Sequence, residues 1–200
     1  MPSGTYLHRD GDDGPPLALE AFRAAPGPAG WRYTAVLRDL PGERELGRLD
    51  VTADTRWHQL RVEARARGTA LRGGVTGLRT LWVAGDREQS ADAAGFVGRS
   101  PGLLVPCARA LGLRAGDAAE VRHIRLGWPA LSAAVVTQRW TLLEVREQPT
   151  GAQPLPVERF EISVPDGGPA CRLYLAGDVV LDAPGLELTE LASPPTLPAE

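Results

Sequence analysis

The 200-residue chain is 43% hydrophobic, enough to bury a core of its own. Its formal charge is −3 and all 22 Lys/Arg positions are arginine, so the skew reads as coding bias and the overall balance excludes a nucleic-acid binder. No apolar run approaches the roughly 20 residues of a membrane-spanning helix, and 23 Gly with 18 Pro favour many turns over long helices.

Strand patterns dominate. Leu17–Phe22 is a short first strand. After the Pro26-Gly27-Pro28 break, Trp31–Arg38 alternates, with Trp31, Tyr33, Ala35 and Leu37 on one face. Pro41-Gly42-Glu43 turns into Leu46–Ala53. The clearest alternation is Trp57–Ala66, where His58, Leu60, Val62, Ala64 and Ala66 face one way. Gln59, Arg61, Glu63 and Arg65 face the other, which is the pattern of an antiparallel sheet wetted on one side. Trp57 falls on the polar phase, so either the strand starts after it or its ring lines a groove.

Gly68 and Gly73-Gly74 separate this strand from Leu78–Ala84, which carries Trp82, and residues 85–93 read as a polar loop. Pro106–Leu111 is the one helix candidate, with Pro in the first turn and Gly112 as its stop. Ala118–Leu126 and the long Ser132–Arg146 are strands. A Pro-containing link over 148–156 leads to Val157–Val164, and a tight turn at 165–168 leads to Cys171–Ala176. Val179–Asp182 and Leu186–Leu191 close the pattern, giving a single β-rich domain over 1–192 and a flexible C-terminal tail over 193–200. With no strand–helix alternation, the expected fold is all-β: a curved antiparallel sheet, half-barrel or barrel of about ten strands with one short helix.

Residues 1–16 lack the basic start and apolar core of a secretory signal. Cys107 and Cys171 are widely spaced and read as two reduced thiols, so a cytoplasmic location is expected. Gly98-Arg99-Ser100-Pro101-Gly102 fits the spacing of a hydrolase nucleophile elbow. However, the residue after the serine normally donates its N–H to the oxyanion, and Pro101 has none. His8, His58 and His123 show no metal-ligand spacing, and His58 reads as a core histidine beside Leu60 and Val62. No metal or cofactor is expected. Residues 56–79 carry six Arg (56, 61, 65, 67, 72, 79) against Glu63, which reads as a solvated strand face or an anion-binding surface.

Four motifs in order resemble a bacterial family described as glycolipid-binding, over roughly residues 31–191. Asp54 with Trp57 is similar to its Asp-x-x-Trp at a strand start. Ser100-Pro101 and the segment to Leu111 are similar to its Thr-Pro segment. Gln138-Arg139-Trp140 resembles its Gln-Arg-Tyr strand. Asp178 and the run Val180-Leu181-Asp182-Ala183-Pro184-Gly185-Leu186 resemble its closing hairpin. This sequence departs in having Ala183 and Trp140 where the family has Tyr, and Gly102-Leu103 where it has Thr-Asn. The resemblance implies a curved sheet or half-barrel similar to lipoprotein carriers, with an apolar ligand.

The leading expectation is therefore a non-catalytic domain that binds a glycolipid or other amphipathic small molecule, with neither nucleic acid nor a transmembrane segment involved. Trp57, Trp82, Arg99, Gln138, Trp140 and Tyr174 are the candidate ligand-binding residues. The alternatives are a hydrolase around Ser100, His58 and Asp54, and an interaction module using the Arg-rich face.

Overall fold

The computed structural model describes residues 1–151, 154–165 and 167–197. The expected 148–156 link, the turn at 165–168 and the end of the 193–200 segment fall partly outside those residues.

The first half of the chain is a run of hairpins: β1 (Ser3–Arg9), β2 (Pro16–Gly27), β3 (Gly30–Arg38), β4 (Glu45–Ala53), β5 (Gln59–Ala66), β6 (Thr69–Thr76), β7 (Arg79–Ala84) and β8 (Arg87–Ala91). The short β9 (Phe96–Val97) and the helix α1 (Pro101–Leu111) follow. A second meander then runs through β10 (Ala118–Gly127), β11 (Ser132–Gln148), β12 (Leu155–Ser163), β13 (Cys171–Ala176), β14 (Val179–Ala183) and β15 (Leu186–Leu191). All belong to one 15-stranded sheet in the order β8-β7-β6-β5-β4-β3-β2-β1-β15-β14-β13-β12-β11-β10-β9. The two meanders join where β1 pairs antiparallel with β15, and among the described residues only β9 and β10 run parallel. The end strands β8 and β9 are not paired with each other, so the sheet is open, and sheets this wide curl.

Among the described residues the chain is thus a mostly-strand, large curved open sheet with one helix, in the expected class but with fifteen strands where about ten were expected. Four strands are additional to the sequence reading. β1 is short, with only Tyr6 and His8 buried, and β8 is exposed along nearly its whole length. β9 has two residues. The fourth is β6, where Gly73-Gly74 lie inside a strand rather than dividing two. A Cβ at Gly73 would stand 2.6 Å from the Phe96 ring and 2.5 Å from the Leu81 carbonyl, so glycine is needed for that ring to sit on the sheet.

α1 lies within the curve, packed against β3, β4, β9 and β14, with Pro101–Ala108 buried. It starts one and a half turns before the expected Pro106. Ser100 is the N-cap, its Oγ accepting from the Gly102 N–H, and Pro101 takes the first helical position, where a missing N–H costs nothing. Pro106 sits inside the helix. Gly112, at φ 55°, ends it as expected.

β5 departs from the predicted alternation at one point. Thr52 pairs with Arg61 and Ala53 with Gln59, so Leu60 is the extra residue of a bulge. The bulge reverses the parity below it. Val62, Ala64 and Ala66 point inward as expected, but Leu60 is 54% exposed and Gln59 turns in. His58 is exposed and is not a core histidine. Gln59 clamps β9 across the open side: its Nε2 donates to the Phe96 carbonyl at 2.8 Å and its Oε1 accepts the Phe96 N–H at 2.6 Å.

At the C-terminus, the Thr196 N–H donates to Asp178 Oδ1 at 2.7 Å, and the Thr196 carbonyl lies over Gly177. Thr196 therefore lies against the β13–β14 turn. Among the described residues no helix is long and apolar enough to cross a membrane.

Gly102 presses its α-carbon onto the face of Tyr33, where an added Cβ would lie 2.3 Å from the ring. Gly102→Ala is expected to cost about 1–3 kcal/mol through overpacking. Urea denaturation is the check, and a loss below about 0.5 kcal/mol would show that Tyr33 can yield freely.

Candidate ligand-binding cavity

Between the concave face of β2–β5 and the start of α1 lies a cavity of about 240 Å³. Leu37, Leu46, Leu49 and Ala64 line its sheet side, and Leu103, Leu126 and Trp128 face them. Its polar corner is made by His8, Glu20 and Ser100, and the exposed Arg67 and Arg99 stand at its rim. Leu17, Arg99, Leu126 and Trp128 also line a second, wider groove of about 570 Å³ that runs toward Gln138, Ile162 and Leu173. The two spaces share that wall. The groove alone lies within the range of ordinary ligand sites, which begins near 300 Å³, and the cavity lies just below it.

The polar corner is a closed network. Glu20 alternates inward with Ala18 and Phe22 on β2 and is fully buried. Its Oε2 meets His8 Nε2 at 2.6 Å; its Oε1 accepts Tyr33 OH at 2.8 Å and Ser100 Oγ at 2.5 Å. Three side-chain donors therefore hold one buried carboxylate, as a charge removed from water requires. Burial first, and the Glu20 charge next, push the Tyr33 hydroxyl well above its ordinary value, so it stays a donor. In this arrangement the glutamate stands between serine and histidine. A serine hydrolase needs the histidine between the serine and the acid.

The proposed triad of Ser100, His58 and Asp54 is not assembled. Asp54 and His58 pair with each other at 3.1 Å in an exposed turn, while Ser100 turns to Glu20. The Asp54 side chain also accepts the Arg56 and His58 N–H groups, which closes the turn that holds Trp57 at φ 66°.

The six candidate ligand residues scatter. Arg99 lines both the cavity and the groove, and Gln138 lines the groove. Trp57 packs tilted against Trp31, with ring centroids 5.6 Å apart, beside a separate small cavity of about 110 Å³ that it shares with His58, Cys107 and His123. Trp82 is buried edge-on against Phe96. Trp140 is fully buried between His123 and Phe160. Tyr174 is half-buried on β13. Among the described residues no three His, Cys, Asp or Glu side chains gather as metal ligands.

Sequence reasoning missed His8, Glu20 and Tyr33 as a group. One signal was present: Glu20 is an acid on the apolar phase of Ala18 and Phe22.

The cysteines differ in reach. Cys107 is buried, its thiol pushed up by desolvation, and Cys171 is half-buried with its thiol pushed up less. A disulfide reagent is expected to titrate at most one thiol in the native protein, slowly, and two after denaturation. Fast modification of both in the native state would contradict this burial.

No family model matches the chain, and no curated protein matches it. A solved structure shares the fold. It is the crystal structure of a DUF1089 family protein from Pseudomonas aeruginosa, with a TM-score of 0.54 over 92% of this chain and 91% of that one. The two are 19% identical, so the likeness is one of fold and extends to no ligand or residue role.

Proposed function

We propose that this chain is a non-catalytic, cytoplasmic, single β-rich unit that holds an amphipathic small molecule, of glycolipid or related type, in the cavity beneath α1. The observation that carries this reading is the pairing of an apolar cavity with a buried polar corner. Leucines from three strands, α1 and β10 enclose it, and His8, Glu20 and Ser100 lie at one side. Such sites bind by burying apolar area while a few fixed polar groups orient the ligand.

The sheet supplies room because several inward residues are small: Ala18 and Ala64 line the cavity where larger side chains would fill it. The helix occupies the curve, and this cavity lies at its N-terminal end, against Ser100 and Leu103.

Native mass spectrometry of the purified full chain is expected to show a retained small molecule, released on denaturation. Leu46→Trp, a change at a half-buried position on the cavity wall, should abolish retention while leaving the melting temperature of the empty protein nearly unchanged. Equal retention by this variant would place the ligand elsewhere. A stripped protein that shows no thermal shift with any long-chain amphiphile would remove the reading. A ligand at 100 times its dissociation constant stabilises by about 2.7 kcal/mol.

A further inference from the structure

Resting on that reading, we infer that the ligand's polar end is an anion, a carboxylate or phosphate carried on a single alkyl chain, gripped by Arg67 and Arg99 at the cavity rim. Among the strand arginines, Arg61 and Arg72 both reach Glu63, Arg32 reaches Asp50 and Arg48 reaches Glu45, whereas others, such as Arg23, Arg65 and Arg139, point to solvent with no ion-pair partner among the described residues. Arg67 and Arg99 have no such partner among the described residues, yet both line the same cavity.

Their backbone settings differ from those of the strand arginines. Arg67 lies in the β5–β6 turn at φ 46°, beyond the inward-facing Ala64 and Ala66, so it leaves the solvated outer face that Arg61 and Arg65 occupy. Arg99 sits one residue before the α1 N-cap. Its Nη1 donates to the Arg9 carbonyl at 2.8 Å, which fixes the guanidinium at the wall common to cavity and groove and leaves further N–H groups free to bind. The two approach the cavity from separate elements.

The remaining charges agree with an anion at the rim. Among the described residues Glu20 is the one acid lining the cavity, and its oxygens are already taken by His8, Tyr33 and Ser100. The adjoining groove has Arg125 and Arg172, likewise without an ion-pair partner among the described residues, against the single lining acid Asp10. In a chain of net charge −3, an unpaired basic rim around an apolar hole selects an amphipathic anion over a neutral one. Guanidinium suits either anion because its planar fork matches carboxylate and phosphate oxygens alike.

The test compares four probes of equal chain length on the full protein: decanoate, monodecyl phosphate, decyl glucoside and decanol. Affinities are read by calorimetry in wild type and in the Arg67→Asn/Arg99→Gln double variant. Both changes are at exposed positions, and Asn tolerates the left-handed backbone of residue 67. At least one anion is expected to bind about tenfold or more tightly than decyl glucoside, with the advantage removed in the double variant and weakened by salt. Preference for decanoate over the phosphate, or the reverse, identifies which anion the rim fits. Equal binding of charged and neutral probes, or an anion preference untouched by the double variant, overturns this inference and leaves the cavity reading standing. Failure of all four probes to bind overturns both.

Discussion

Replacing Glu20 with leucine is expected to destabilise the protein by about 3–5 kcal/mol, because it leaves the buried His8 and Tyr33 and the half-buried Ser100 without their acceptor. The residue joins four elements at once: β1 through His8, β2 by its own backbone, β3 through Tyr33, and the α1 N-cap through Ser100. Glu20→Gln should cost much less, about 1–2 kcal/mol. Glutamine keeps one oxygen for Tyr33 and Ser100, and its amide can donate to His8 if that ring presents an unprotonated nitrogen. Denaturant unfolding distinguishes the two. Equal, small losses for both variants would mean the network contributes little and the polar corner is free to rearrange.

A second large effect belongs to His123. Burial pulls its pKa down to about 4, while the hydrogen bond with Gln138 Oε1 at 3.2 Å acts in the opposite direction. The folded value lies below the unfolded value of 6.5, so the unfolded chain binds the extra proton first. The stability tied to the neutral ring is fully present above about pH 6.5 and is lost as pH falls through about 4. Its size is about 3–4 kcal/mol, because the folded and unfolded values differ by about 2.5 and each pKa unit is worth about 1.4 kcal/mol. His123→Gln should therefore be less stable than the wild type near pH 7, where a well-packed ring is lost, and should close that gap by pH 4. A gap that stays constant over this range would show that the ring does not titrate with folding.

The strands of the sheet were legible because period-2 alternation survives wherever one face is apolar and the other wet. Trp31, Tyr33, Ala35 and Leu37 are all buried as their spacing requires. The reading failed where backbone events break the period. The Leu60 bulge reversed the faces around His58 and Gln59, and no residue near it advertises a bulge. β8, with the sequence Arg-Glu-Gln-Ser-Ala, has no inward apolar set and is recognisable only from its pairing with β7. The early start of α1 was concealed by two prolines. Pro106 looked like a first-turn residue, while the N-cap Ser100 and Pro101 that begin the helix looked like a turn.

The site was less legible than the fold, because its polar corner is assembled from distant positions. Ser100 and Glu20 are 80 residues apart, and Tyr33 and Glu20 are 13 apart. Aromatic rings were natural candidates for ligand contact, yet Trp82 and Trp140 are consumed by the core: large rings fill the curve where alanines cannot. Arg99 was visible because it flanks a Ser-Pro turn. Arg67 was counted with the Arg-rich strand face and belongs to the cavity rim instead.

Methyl NMR of leucine-labelled protein titrated with decanoate and with decyl glucoside tests the cavity reading most directly. The account predicts saturable shifts at Leu37, Leu46, Leu49, Leu103 and Leu126, which line the cavity, and none at Leu60, Leu78 or Leu81 on the exposed surface. Shifts confined to those exposed leucines, or no saturable shift at all with either probe, would contradict it.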